Sequence, residues 1–215
     1  MKTCYIFGAM ATELDSFTPS CDDLIIAADG GYKTLKKMNI KPHLVVGDFD
    51  SLGEIPENET IIKHPVQKDD TDTLLAVKTG FNKGYKRFVI YGALGGRLDQ
   101  TVATLQTASF IAENGGFPLI CDPIYTVTAI KNSAINFKST AMGIISVFAL
   151  NGKCSGVTID GLFYTLSDYE ITSEFPIGVS NEFIGKESKI AVKNGILTII
   201  FEGKPGDINE QLKKY

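Results

Sequence analysis

Seven of the fourteen aspartates in this 215-residue chain fall between Asp29 and Asp99, and they do not lie as a solvated face would. Asp29 follows the apolar run Leu24–Ala28 and precedes Gly30-Gly31, while Asp48 and Asp50 follow Leu44-Val45-Val46-Gly47. Both groups stand at the carboxyl ends of short strands, the edge at which open α/β sheets bind ligands. In extended chain, Asp48 and Asp50 project to one side and flank Phe49, with no basic neighbour. Carboxylates that close repel unless a cation lies between them. Hard oxygen donors suit Mg²⁺, which takes one or two carboxylates together with substrate phosphate oxygens.

A second acidic group, Lys68-Asp69-Asp70-Thr71-Asp72, precedes an expected helix. Aspartate is favoured at a helix N-cap and in the first turn, where it meets unpaired N–H groups and the positive end of the dipole. Three acids in four residues, downstream of two other acidic strand ends, favour a metal or substrate site over capping alone. Gly92-Ala93-Leu94-Gly95-Gly96-Arg97-Leu98-Asp99-Gln100 then links a strand to a helix. It has neither the Gly-x-Gly-x-x-Gly spacing of a dinucleotide fold nor a Gly-Lys-Ser/Thr ending. Paired glycines still let backbone approach a phosphate, and the helix start adds N–H donors. His43 and His64 each adjoin a proline without a ligand partner at metal spacing, which points to structural roles. Phe163, Tyr164 and Tyr169 have the composition of β-sheet core or cross-strand pairs. No Ser–His–Asp or Cys–His arrangement for acyl chemistry is visible.

The elements that must position these residues change character along the chain. Strands are expected at Thr3–Phe7, Leu24–Ala28, His43–Gly47, Thr60–Lys63, Arg87–Tyr91 and Pro118–Cys121, with helices at Tyr32–Met38, Thr71–Lys83 and Leu98–Glu113. This alternation predicts a parallel sheet covered by helices. After residue 124 only β-rich runs follow (Thr126–Ile130, Ile144–Leu150, Val157–Ile159, Ile190–Ala191, Ile196–Phe201), broken at Asn151-Gly152 and Asn194-Gly195. Asn-Gly between strands signals hairpins. The expected architecture is therefore an α/β domain over residues 1–124 and an antiparallel β-sandwich over 125–215, with Glu210–Tyr215 a solvated end.

Composition narrows the function classes. At 44% hydrophobic and 21% charged the chain can build a core, and 21 Lys+Arg against 25 Asp+Glu leave a formal charge of −4. No global positive field exists to hold a nucleic acid or an anionic membrane. Cys4, Cys21, Cys121 and Cys154 are scattered singly and read as buried thiols in a reducing compartment. No signal peptide and no apolar run of membrane-spanning length is present, so a cytoplasmic location is expected.

The order Asp29-Gly30-Gly31, Gly47-Asp48-Phe49-Asp50-Ser51, Asp69-Asp70-Thr71-Asp72 and Gly95-Gly96-Arg97-Leu98-Asp99-Gln100 resembles the thiamine pyrophosphokinase family. Ser180-Asn181-Glu182-Phe183 is similar to the Ser-Asn motif of that family. The resemblance runs over nearly the whole chain and implies an N-terminal α/β domain, a C-terminal β-sandwich, and transfer of the pyrophosphoryl group of ATP to the hydroxyethyl oxygen of thiamine, with AMP as second product. It implies Mg²⁺ held by Asp29, Asp48, Asp50 and Asp72, and ATP bound by Gly30, Gly31, Lys68, Asp69 and Arg97. It places thiamine against Gly96, Arg97, Asp99, Gln100, Tyr164, Ser180 and Asn181, with Asp72 or Asp99 accepting the hydroxyl proton. It further implies a homodimer with shared sites. The family carries Trp in a Gly-Leu-x-Trp-x-Leu stretch; here Gly161-Leu162-Phe163-Tyr164-Thr165-Leu166 has Tyr164 in that place, and the chain has no Trp. Lys68 stands where the family commonly has Gln. The competing readings are another Mg-dependent phosphotransferase or phosphohydrolase, and a non-catalytic nucleotide- or metal-sensing module.

Overall fold

The computed structural model describes residues 2–10, 14, 17–47, 61–63 and 70–214, of which 61–63 and 209–214 are described by backbone alone. The chain forms two compact units: Met1–Thr107 with Ile120–Pro123, and Ala108–Leu119 with Ile124–Tyr215.

In the first unit β1 (Thr3–Phe7), β2 (Leu24–Ala28), β3 (Leu44–Gly47), β4 (Ile61–Lys63) and β5 (Arg87–Tyr91) alternate with α1 (Gly31–Lys37), α2 (Asp72–Asn82) and the start of α3 (Leu98–Glu113); the end of α3 and the first three residues of β6 (Phe117–Cys121) belong to the second unit. β1 pairs in parallel with β2 and β5, β2 with β3, and β3 with β4, giving the order β4-β3-β2-β1-β5. The chain thus runs outward from β1 to β4 and returns on the other side of β1. That reversal makes a switch point between β1 and β5, and register places Phe7 opposite both Ala27 and Tyr91 at their carboxyl ends. β2 is buried at all five positions, as expected of a strand covered on both faces. Phe7, Ile25, Ala27, Leu35 and Val45 form one core cluster, with Tyr5, Phe17 and Tyr91 packed against it. Each large side chain buried there stabilises the fold by about 1.5–3 kcal/mol. α2 turns Ala76, Val77 and Gly80 inward, and it approaches so closely that a Cβ on Gly80 would stand 2.6 Å from the Phe88 ring.

The second unit contains β7 (Tyr125–Lys131), β8 (Ser133–Phe137), β9 (Ile144–Phe148), β10 (Lys153–Asp160), β11 (Leu166–Thr172), β12 (Asn181–Glu182), β13 (Ser188–Ala191), β14 (Ile196–Glu202) and β15 (Ile208–Lys214). They make two antiparallel layers, β12-β9-β14-β7 and β11-β10-β13-β8-β15. Phe137 of one layer and Phe201 of the other meet edge to face at 5.1 Å inside the core. The Asn-Gly pairs do not close hairpins. Asn151-Gly152 joins β9 to β10 and Asn194-Gly195 joins β13 to β14, so each carries the chain from one layer to the other. Gly152 and Gly195 provide the positive φ those corners require, at 106° and 112°. The tail is a strand and not a solvated end, because β15 pairs with β8. Cys4, Cys121 and Cys154 are buried, whereas Cys21 is exposed, contrary to the expectation for that residue. Burial pushes the Cys4 thiol up to about 12, which keeps it protonated and inert.

Candidate active site

A cleft of about 290 Å³ opens at the carboxyl edge of the parallel sheet, at the switch point. Its walls are the segments that follow the strands: Ala9 and Met10 after β1, Asp29 after β2, Gly92 and Ala93 after β5, with Thr71, Asp72 and Thr73 from the start of α2. Close backbone approaches hold these segments together. Gly8 N–H donates to Tyr91 O at 2.7 Å and Met10 N–H to Gly92 O at 3.0 Å, zipping the turn after β1 to that after β5. Asp29 has φ +47° and sends its N–H to Val46 O at 2.9 Å, while its carbonyl accepts Tyr32 N–H at 3.3 Å. Asp29 is thereby fixed between β2, β3 and α1, in a left-handed conformation that aspartate tolerates better than most residues. Gly31 lies directly beneath Phe7, whose carbonyl oxygen any Cβ at that position would strike.

Asp72 opens α2, whose N-cap Thr71 accepts the Leu74 N–H at 3.2 Å. Asp29 and Asp72, far apart in sequence and both half-buried, therefore line the same cleft. Asp70 has another use, since both its oxygens accept from Lys78 Nζ, at 2.7 and 2.8 Å. Among the described residues no three His, Cys, Asp or Glu side chains converge as a metal cage. The donors that are present fit Mg²⁺, since two carboxylates in one cleft match its preference when phosphate oxygens complete the shell. Asp48, Asp50, Lys68 and Asp69 lie outside the described residues, as does His64.

Gly95 and Gly96 take positive φ, 79° and 65°, and turn the chain into α3. Gly95, Arg97 and Gln100 line the cleft with Thr104, whose hydroxyl donates to Ala93 O at 2.9 Å. Gly96 sits against Met10 instead, since a Cβ there would stand 2.8 Å from its sulfur. Arg97 also binds Asp99 with both arms, Nε to Oδ1 at 3.1 Å and Nη2 to Oδ2 at 2.6 Å, in a largely exposed pair. Asp99 is not in the cleft wall but lines a second, more open depression with Leu98 and Val102. The Arg97 hydrogen bond, followed by the Gln100 N–H, holds the Asp99 carboxyl below the usual carboxylate range. Gly30 is the N-cap of α1 and has no side-chain cap. His43 is structural, exchanging Ile25 N–H to Nδ1 at 2.9 Å and its own N–H to Ile25 O at 2.8 Å.

In the β unit, Phe163 and Tyr164 are 61% and 64% exposed and Tyr169 is 42% exposed, so none of the three is core. Phe163 and Tyr164 meet edge to face at 4.9 Å. Ser180 is exposed with φ +59°, and its N–H donates to Ser146 Oγ at 3.0 Å. Asn181 is buried, and its amide is hydrogen-bonded to the Tyr164 backbone. The wall residues that belong to none of the motifs read from sequence are Ala9, Met10, Ala28, Thr73 and Thr104. Gly8, ending the first strand, was the available sign for Ala9 and Met10; it gains meaning only when β1 is known to flank the switch point.

Phosphate-group transfer is the class of chemistry this edge defines, with carboxylates for a cation, and backbone and arginine donors for anionic oxygens. Two family models match the chain, "Thiamin pyrophosphokinase, catalytic domain" over residues 18–115 and "Thiamin pyrophosphokinase, vitamin B1 binding domain" over 132–197. A Bacillus subtilis thiamine pyrophosphokinase is 28% identical over 211 residues, covering 93% of this chain and 98% of the relative. Thiamin pyrophosphokinase 1 of Caenorhabditis elegans is 27% identical over 173 residues, covering 73% and 70%. The crystal structure of the Bacillus subtilis enzyme superposes with a TM-score of 0.83 at 23% identity, over 94% of this chain and 99% of that one. The Enterococcus faecalis family member gives 0.77 at 23% identity, over 95% and 100%. These solved structures share the fold: a parallel α/β part and a β-rich part. The chain belongs to the thiamine pyrophosphokinase family, and it is an enzyme that transfers a pyrophosphoryl group to thiamine. Among the described residues no helix is long and apolar enough to cross a membrane.

Proposed function

We propose that the cleft takes ATP as the pyrophosphoryl donor with Mg²⁺, that thiamine stacks on Tyr164, and that two copies of the chain share their sites. The observation that carries this reading is the meeting of Asp29 and Asp72 in one cleft at the switch point, beside the glycine turn and Arg97. Asp29 and Asp72 would hold Mg²⁺, together with Asp48 and Asp50 by motif. When bound, Mg²⁺ supplies charge neutralisation on the phosphates. The remaining work falls to the chain itself. The start of α2 and the backbone of Gly92–Gly96 offer N–H groups to phosphate oxygens, and Arg97 can exchange Asp99 for an anionic oxygen. Lys68 and Asp69, just ahead of α2, and Gly30-Gly31, at the start of α1, are assigned to ATP by motif. Gly96, Gln100 and Ser180 are assigned to the thiamine side in the same way, and Asn181 belongs to the same Ser-Asn motif.

The reaction brings a neutral hydroxyl to the β-phosphorus of a polyanion while AMP departs. Positioning and charge stabilisation carry most of such a rate, and a carboxylate accepts the hydroxyl proton late in transfer. Asp72 is the better placed acceptor, because it lines the cleft whereas Asp99 is bound by Arg97 outside it. Tyr164, exposed on the β unit, presents a π-face to the thiazolium cation. In a homodimer, Tyr164 of one chain would serve the cleft of the other. Mixing Tyr164→Ala chains with Asp72→Asn chains tests the sharing: activity above either parent is expected on subunit exchange. No gain in a mixture containing heterodimers by native mass spectrometry would count against it. Incubation with ATP, Mg²⁺ and thiamine should yield AMP and thiamine diphosphate in equal amounts. ADP, or phosphate released without thiamine, would overturn the donor assignment.

A further inference from the structure

Asn181 can offer one oxygen with two lone pairs and two N–H donors. Nearly all of that capacity is spent on its neighbours. Its Oδ1 accepts the N–H of Tyr164 at 2.9 Å and that of Glu182 at 2.9 Å, and its Nδ2 donates to the carbonyl of Tyr164 at 2.7 Å. Both backbone polar groups of Tyr164 are therefore held by one buried side chain. Asn181 is itself seated by pairing opposite Ile145 in β12, beside the bond from Ser180 N–H to Ser146 Oγ. Around Tyr164, residues 163–165 form no regular strand, and Phe163 N–H to Glu182 O, at 3.0 Å, is the neighbouring tie. The ring itself is 64% exposed and has Phe163 at its edge.

We infer that Asn181 is a positioning residue for thiamine, acting through the backbone of Tyr164 and not through contact with the substrate. The inference rests on the reading that Tyr164 stacks on thiamine. An aromatic on a segment outside regular secondary structure must be immobilised when substrate binds unless something already holds it, and that cost is subtracted from affinity. The amide clamp meets the cost during folding, so the ring is already set when thiamine arrives.

The test uses full-length chains carrying Asn181→Ala, Tyr164→Ala and both. Tyr164→Ala should raise the KM for thiamine roughly five- to thirty-fold, and Asn181→Ala by a comparable or smaller factor, with the KM for ATP unmoved in both. The double variant should be no worse than Tyr164→Ala alone, because the two residues act as one unit. Factors that multiply, or an unchanged thiamine KM in Asn181→Ala, would overturn the inference. An unchanged thiamine KM in Tyr164→Ala would instead overturn the stacking reading on which it rests. A second measurement needs no turnover. The chain has no Trp, so Tyr164→Trp places a single reporter in the segment. Adding Asn181→Ala should speed its fluorescence anisotropy decay without substrate, and an unchanged decay counts against the clamp. Asn181→Asp keeps both N–H bonds but sets an oxygen against the Tyr164 carbonyl; it should fall between wild type and Asn181→Ala, and serves if the alanine variant does not fold.

Discussion

The cleft at the β1–β5 switch point is held by backbone, through Gly8 on Tyr91, Met10 on Gly92 and Asp29 on Val46. Tyr164 is held by one side chain, the Asn181 amide. The first arrangement follows from the topology of a parallel sheet, in which every strand delivers its next residues to the same edge. The second depends on one side chain, whose two hydrogen bonds to Tyr164 reach across seventeen residues. The two regions should therefore fail differently: the cleft when a charge is removed or a close approach is blocked, the Tyr164 segment when one amide is lost.

The largest effect is expected in the cleft. Asp72→Asn and Asp29→Asn remove charge from surroundings that persist without it, so kcat should fall by about a hundredfold or more while the melting temperature holds. Near-normal turnover at saturating Mg²⁺ would detach that residue from the chemistry. Gly31→Ala attacks the same region through backbone, because its Cβ would strike the Phe7 carbonyl. Overpacking of this kind costs about 1–3 kcal/mol or more, or roughly 2–4 °C of melting temperature per kcal/mol in a chain of this size. Gly95→Ala is the control, since it has φ +79° but nothing within 4 Å of the added Cβ. It should lose only the smaller strain of a left-handed alanine, about 1–2 kcal/mol.

The same contrast explains what could be read from sequence. Thr3–Phe7, Leu24–Ala28, Arg87–Tyr91 and Leu98–Glu113 agree with the sequence expectation to the residue, because buried parallel strands are continuous apolar runs and a long amphipathic helix has strong punctuation. The sequence expectation omits β8, β11, β12 and β15: β11 and β15 are the two edges of their layer and the two-residue β12 ends the other, while β8 is an inner strand whose Ser133 and Asn136 break its apolar run. Leu166–Thr172 is exposed over most of its length and Ile208–Lys214 is largely polar, so neither carries the apolar pattern that marks an inner strand. The Asn-Gly turns were found, but whether they join strands of one layer or of two is not a local property. Asp29 and Asp72 were legible as strand-end and helix-start acids. The clamp on Tyr164 was not, because nothing in Ser180-Asn181 states that its partner is a backbone in another loop.

Between the extremes lies Tyr164 itself. Tyr164→Ala should weaken thiamine binding by about 1–2 kcal/mol and leave the KM for ATP unchanged, which steady-state kinetics with each substrate varied in turn will separate. Tyr164→Trp should bind thiamine at least as tightly, since indole is the stronger cation–π partner. A Tyr164→Ala variant that instead lost affinity for ATP would join the two regions into one site and remove the contrast.

The smallest effect is expected at Asp99, and it bears on which carboxylate takes the proton. Its carboxyl is held below the usual range, first by Arg97 and then by the Gln100 N–H. A depressed carboxylate contributes stability at pH values above its unfolded value, about 3.9, and loses it as pH falls through the lower folded value. The pair is exposed and screened, so Asp99→Asn should leave the melting temperature at neutral pH within about a degree, and alter acid unfolding only below about pH 4. On activity the comparison is sharper. If Asp72 accepts the proton, Asp99→Asn should lower kcat by less than about tenfold, while Asp72→Asn lowers it by about a hundredfold or more. A hundredfold fall in Asp99→Asn, with Asp72→Asn less affected, would move proton acceptance out of the cleft wall and onto the carboxylate that Arg97 holds.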